Sequence, residues 1–190
     1  MTAVSVATQD RAALSDIPRG TWQIDPAHSM VGFAVRHLMS KVRGRFDEFD
    51  GQLTIADEPH RSTAHVEITL ASVDTGNPMR DNHLRSADFF DVEHYPTMTF
   101  TSTGLREVDD AWVLDGELTI RGATRSVHVE LEFLGFDPTG MQGEPRIGFE
   151  GRTSINRSDF GVSFGLVDGG KIVVGDRVDI LLEIQAVLTS

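Results

Sequence analysis

The chain has 190 residues, 39% of them hydrophobic, no cysteine and a formal charge of −12. That length and apolar content suit one substantial core, and the missing cysteine excludes disulfides, thiolate metal sites and cysteine nucleophiles. The negative charge repels phosphate backbones, which disfavours nucleic acid and anionic membrane surfaces as general partners.

Met1–Ile17 has no positive n-region, and Asp10, Arg11 and Asp16 break any apolar run long enough for export. A cytoplasmic protein is therefore expected, with a loose tail over residues 1–19 and one domain over 20–190. No apolar stretch approaches the roughly 20 residues of a membrane span, so stable membrane insertion is not expected.

From Gly20 onward the dominant signal is alternation with period two, the pattern of strands with one buried face. Strands are expected at Thr21–Ile24, Met30–Val35 and Phe46–Ile55. Val66, Ile68 and Leu70 then alternate with His65, Glu67 and Thr69. The pattern breaks between Gly76 and Tyr95, where short helices are expected near residues 77–92. Asn77 suits the N-cap, Pro78 the first turn, and Asp88 the cap of a second turn. Strands resume at Met98–Ser102. Trp112, Leu114, Leu118 and Ile120 share a face, as do Val127, Val129, Leu131 and Phe133. Ile147–Ile155 and Lys171–Val174 follow, then the row Val178, Ile180, Leu182, Ile184 and Leu188. Turn chemistry separates these runs at Asp25-Pro26, Asp50-Gly51, Asp109-Asp110, Arg121-Gly122, Asp137-Pro138 and Asp168-Gly169-Gly170. Many short strands at regular spacing argue for a closed barrel or a sandwich.

The residues offer little chemistry. The seven histidines show no His-Glu-x-x-His motif or other tight ligand spacing, so no metal site is expected; His28 and His83 stay open. Ser29 beside His28 points to the opposite face of a strand, and no Gly-x-Ser-x-Gly elbow exists. Gly165–Gly170 lacks the ending of a phosphate loop and reads as a hairpin or rim loop. Asp81, Asp88 and Asp91 define no acid–base pair. The 11 phenylalanines either fill a core or line a cavity, and periodicity does not separate the two.

Several stretches resemble the YceI-like, polyisoprenoid-binding family. They are Trp22–Ser29 (WQIDPAHS), Val31-Gly32-Phe33, Arg36-His37, Arg80–Asp91 (RDNHLRSADFFD), Tyr95–Phe100 (YPTMTF), Gly116–Gly122 (GELTIRG) and Asn156–Gly161 (NRSDFG). The resemblance implies an all-β, antiparallel lipocalin-like barrel of about eight strands. It also implies a non-enzymatic carrier whose bore holds the tail of a polyisoprenoid, isoprenoid quinone or similar amphiphile. No cofactor is required on this reading, and the chain could act alone or as a homodimer. The expected lining is Phe33, Val35, Val66, Ile68, Leu70, Phe89, Met98, Phe100, Leu114, Leu118, Ile120, Val129, Leu131, Phe133, Phe149, Phe160, Phe164, Ile180 and Leu182. His28, Arg80, Asp81 and His83 are candidates for reading a head group or anchoring the helical lid. Two other readings stand beside it: a filled barrel acting through protein contacts or in stress, and an enzyme on an isoprenoid lipid, which needs convergent polar groups in the bore.

Overall fold

The computed structural model describes residues 16–190 apart from 110, 141, 166, 169 and 170, with the backbone alone at 167–168 and 171–172. The expected tail up to residue 15, Asp110 of its turn, and Leu166, Gly169 and Gly170 of the glycine-rich segment lie outside the described residues.

The chain forms β1 (Gly20–Ile24), β2 (Met30–His37), β3 (Ser40–Phe46), β4 (Phe49–Ile55), β5 (Thr63–Thr69), β6 (Val73–Asp74) and helix α1 (Pro78–Arg85). Then come β7 (Thr97–Val108), β8 (Ala111–Ile120), β9 (Ala123–Asp137), β10 (Arg146–Asn156), the short β11 (Val167–Asp168) and β12 (Lys171–Ile172), and β13 (Val174–Leu188). Antiparallel pairing runs β1-β4-β5-β7-β8-β9-β10-β13, and β13 pairs back onto β1, closing an eight-stranded barrel. Closure satisfies every edge of the ring. The 15-residue β13 borders two partners on its other side: Val174–Glu183 pairs with β2, and Ala186–Leu188 with β1. Between these partners Asp25 caps a short 3-10 turn by accepting from the Ala27 amide at 3.0 Å. The Ser29 hydroxyl bridges to Gln185, donating to its carbonyl and accepting from its amide.

Two expected strands are redrawn. Phe46–Ile55 is broken at Asp47-Glu48, where Arg45 Nε holds Asp47 at 2.6 Å and the Glu48 amide donates to Ser72 Oγ. Phe46 therefore ends β3, a strand absent from the sequence reading, and pairs with Val31 of β2 and Val73 of β6. Lys171–Val174 is likewise divided between β12 and the start of β13. The Arg121-Gly122 turn has φ +50° and +72° and joins Ile120 to Ala123 in a two-residue hairpin. Helix α1 begins as expected, with Asn77 accepting from the Arg80 amide. Asp88, expected as a cap, instead accepts from His83, and the Ser86 hydroxyl accepts from the Asp88 amide.

Two apolar clusters fill much of the barrel interior. Phe46, Leu70, Val73, Phe89, Phe160 and Val162 pack at the α1 end, and Ile17, Trp22, Leu105, Ile147 and Phe149 at the opposite end. Ile17, placed in the loose tail by sequence, is buried there, and Trp22 Nε1 donates to Pro18 O at 3.1 Å. The outward rows carry residues such as Glu117, His128, Glu130 and Glu132, not the apolar band of a membrane barrel. Among the described residues no helix is long and apolar enough to cross a membrane.

Candidate functional site

The inward faces of the strands surround a cavity of about 390 Å³ that reaches both end clusters. Its wall follows from the alternation. Val66 and Ile68 of β5, Met98 and Phe100 of β7, and Leu114, Leu118 and Ile120 of β8 supply one side. Val129 and Leu131 of β9, Phe149 of β10, Ile180 and Leu182 of β13, and Phe33 and Val35 of β2 supply the other. Two glycines let large rings lie against this wall. A Cβ on Gly116 would meet the Phe100 ring at 2.4 Å, and one on Gly44 would meet the Phe33 ring at 2.5 Å. Each ring thus occupies the place of a missing side chain.

Polar groups gather at the α1 end, where Phe89, Phe160 and Phe164 line the cavity beside Arg80, His83, Arg157 and His37. The His83 ring sits edge-on to Phe89 and Phe164, at 5.0 and 4.9 Å between centroids. Its Nε2 lies 2.8 Å from Asp88 Oδ2. Arg80 donates from Nε to Thr75 Oγ1 at 2.7 Å and from Nη2 to Thr75 O at 2.9 Å. Arg157 is buried, 7% exposed. It donates to the carbonyls of Val162, Phe164, Gly175 and Val174, with Asp176 at 3.3 Å. One cation thereby holds two separate segments against the bore. Arg121 Nη1 similarly ties Phe89 O to Gly161 O, at 2.8 and 2.9 Å. Among the described residues no carboxylate lines the cavity. Thr153, inward on β10, carries the hydroxyl at mid-strand.

Three expected site residues, Leu70, Phe133 and His28, lie elsewhere, and Asp81 takes the anchoring role offered for it. Leu70 is fully buried but past the end of β5, because the chain turns into a 3-10 turn there and takes it into the end cluster. Phe133 packs on Phe149 at 5.3 Å between centroids and seals the wall behind that ring. Asp81 is 6% exposed and accepts from the Thr75 amide and hydroxyl, at 3.0 and 2.5 Å, so it pins α1. His28 sits on the outer seam between β1 and β2, 2.8 Å from Asp25. The lining also includes residues not singled out by sequence: Ile17, Val42, Leu84, Phe90, Leu105 and Arg157. Among the described residues no three His, Asp or Glu side chains stand together as a metal site.

The seam around His28 has its own electrostatics. Arg146 Nη1 donates to Asp25 Oδ2 at 2.8 Å, with both side chains largely buried. That bond, aided by His28 and the Ala27 amide, holds the Asp25 carboxyl below its usual range. A carboxylate favoured in the fold stabilises above its unfolded pKa of about 3.9, and the benefit is lost as the pH falls through the folded value. Asp25→Asn should therefore cost about 1–3 kcal/mol at pH 7, the worth of a charge-assisted hydrogen bond, and its deficit against wild type should shrink as the pH falls below 4. Urea midpoints at pH 7 and pH 3 test this, and an equal deficit at both would exclude the ionic contribution.

Residues 22–186 match the YceI-like domain. The chain belongs to the YceI-like family. A UPF0312 protein of Photorhabdus laumondii is 37% identical over 164 residues, covering 84% of this chain and 81% of that one. Among solved structures, Burkholderia cenocepacia BcnA superposes on this YceI-like barrel with a TM-score of 0.75 at 26% identity, covering 85% of this chain and 98% of that one. A polyisoprenoid binding domain from Saccharophagus degradans, implicated in plant cell wall breakdown, shares the fold with a TM-score of 0.70. It is 18% identical, and the match covers 90% of this chain and all of that one.

Proposed function

We propose that this YceI-like barrel is a non-enzymatic carrier that holds the apolar tail of a polyisoprenoid, an isoprenoid quinone or a similar amphiphile in its bore. The observation that carries the reading is the cavity: about 390 Å³ of interior bounded almost wholly by aliphatic and phenyl side chains. Water is a poor filler because the wall has few hydrogen-bonding partners. A hydrocarbon tail gains about 0.8 kcal/mol per buried methylene, so ten supply roughly 8 kcal/mol before ordering costs. The polar pole of Arg80, His83 and Arg157 gives a head group a place at the α1 end. The polyisoprenoid-binding description of the Saccharophagus domain supports the ligand class at the level of the fold.

Organic extraction of gently purified protein, followed by mass spectrometry, should release a long-chain amphiphile near one per barrel. Native mass spectrometry of the same sample should show the matching mass increment. Protein that repeatedly extracts clean and ignores added polyprenyl compounds would sink the carrier reading.

A further inference from the structure

We propose that the tip of the β2–β3 hairpin is a membrane-contact element that seats the α1 end of the barrel on an anionic lipid surface. The tip is the two-residue turn Leu38-Met39, between the paired His37 and Ser40. Leu38 is 54% exposed and Met39 97% exposed. Leu38 also holds φ +53°, a left-handed conformation that two-residue hairpins usually assign to Asn or Gly. An aliphatic side chain there is unfavourable in water on both counts, and burial in an apolar phase relieves the exposure.

The charge around the tip runs against the rest of the chain. In a protein of net −12, the stretch between Val35 and Phe46 carries Arg36, Lys41, Arg43 and Arg45 and no acid. Arg45 is paired with Asp47 and Asp74, and Lys41 with Asp179, which also holds Arg177. Arg36 Nε donates to Leu38 O, and Arg43 makes no ion pair among the described residues. On the outer wall, Arg43, Arg125, Arg152 and Arg177 share a shallow groove with Glu130, Asp159 and Asp179, so the wall is mixed. Among the described residues Arg36 and Arg43 make no ion pair, and they flank the exposed Leu38 and Met39 on the two strands of the hairpin.

The tip is also placed where a lipid would pass. Val35, His37 and Val42 of the hairpin line the cavity. The Leu38 amide donates to Val173 O, beside the Val174 and Gly175 carbonyls that Arg157 holds. Arg157 holds the Phe164 carbonyl as well, and the Phe164 ring packs on His83 of α1. The hairpin therefore stands at the polar pole of the bore.

Sedimentation with vesicles tests the proposal. Wild-type protein should bind phosphatidylcholine vesicles containing 30% phosphatidylglycerol and leave pure phosphatidylcholine vesicles largely unbound. Binding should weaken at 0.5 M salt. Met39→Asp should lower the partition about tenfold or more, the worth of one buried apolar side chain. Arg36→Gln with Arg43→Gln should lower it about twenty-five-fold, at roughly fivefold per basic residue. Both changes are on exposed side chains, so melting temperatures should match wild type. Wild type that ignores anionic vesicles, binds neutral ones equally, or tolerates both sets of changes would overturn the proposal. Lipid retained in the same batches is read separately: docking with empty barrels defeats the carrier reading alone, and loaded barrels that ignore vesicles defeat this one alone.

Discussion

Val129→Phe should come through purification without lipid and bind an added polyprenyl compound at least a hundredfold more weakly than wild type. Val129 is 4% exposed, lines the cavity at mid-barrel, and backs onto Gly151, where a Cβ would stand 3.1 Å from its Cγ1. That close wall leaves an added ring only the bore to enter. In a solid core the same change forces overpacking and costs about 1–3 kcal/mol. Here the ligand-free protein should change by less than about 1 kcal/mol, because the phenyl group fills space and takes the place of the tail. Urea denaturation of delipidated protein and a lipid titration on the same variant check both halves. A large loss of ligand-free stability would mean that the interior is packed at this height, and unchanged lipid affinity would remove Val129 from the binding wall.

Arg157→Leu should cost about 3–5 kcal/mol, the usual result of removing one partner from a buried, hydrogen-bonded charge network. The guanidinium serves carbonyls of Val162, Phe164, Val174 and Gly175. Leucine replaces its volume and leaves those acceptors without a donor. Arg157→Lys should recover only part of the loss, since a point-like ammonium does not reach carbonyls on two segments as the planar fork does. Urea midpoints at unchanged m-value measure the effect. A loss below about 1 kcal/mol would show that the two segments hold themselves in place. Lipid retention should fall in step, because Val162 and Phe164 belong to the cavity lining.

Much of the barrel is legible in the alternation, since a side-chain period of two puts Val127, Val129 and Leu131 on one face without further information. The same parity places Leu118 and Ile120 opposite Glu117 and Thr119. Parity fails where a strand ends. Leu70 has the right spacing after Val66 and Ile68, but its backbone leaves the sheet one residue too early. The strand Ser40–Phe46 escaped because its inward row is Val42, Gly44 and Phe46, and a glycine in that row carries little hydrophobic signal. Its register becomes clear only once the Phe33 ring is seen to occupy the Gly44 position. Arg157 is the harder case. A cation beside Asn156, Ser158 and Asp159 reads as surface, and what engages it in the fold is a set of carbonyls from two segments, Val162–Phe164 and Val174–Gly175. The bore itself was the open question, since packed and hollow barrels share one hydrophobic pattern.

The ring is sealed by the first and last strands of the domain, with Trp22 facing Leu188 across their shared edge. Such a pairing has high contact order, so closure must wait for a loop of nearly the whole domain to be brought together and is intrinsically slow. During synthesis the earlier strands can pair with their neighbours, but the last wall is missing until β13 has left the ribosome. A ring built this way cannot close before its last strand is available. A tail held as proposed can therefore be enclosed only once the last strand is in place.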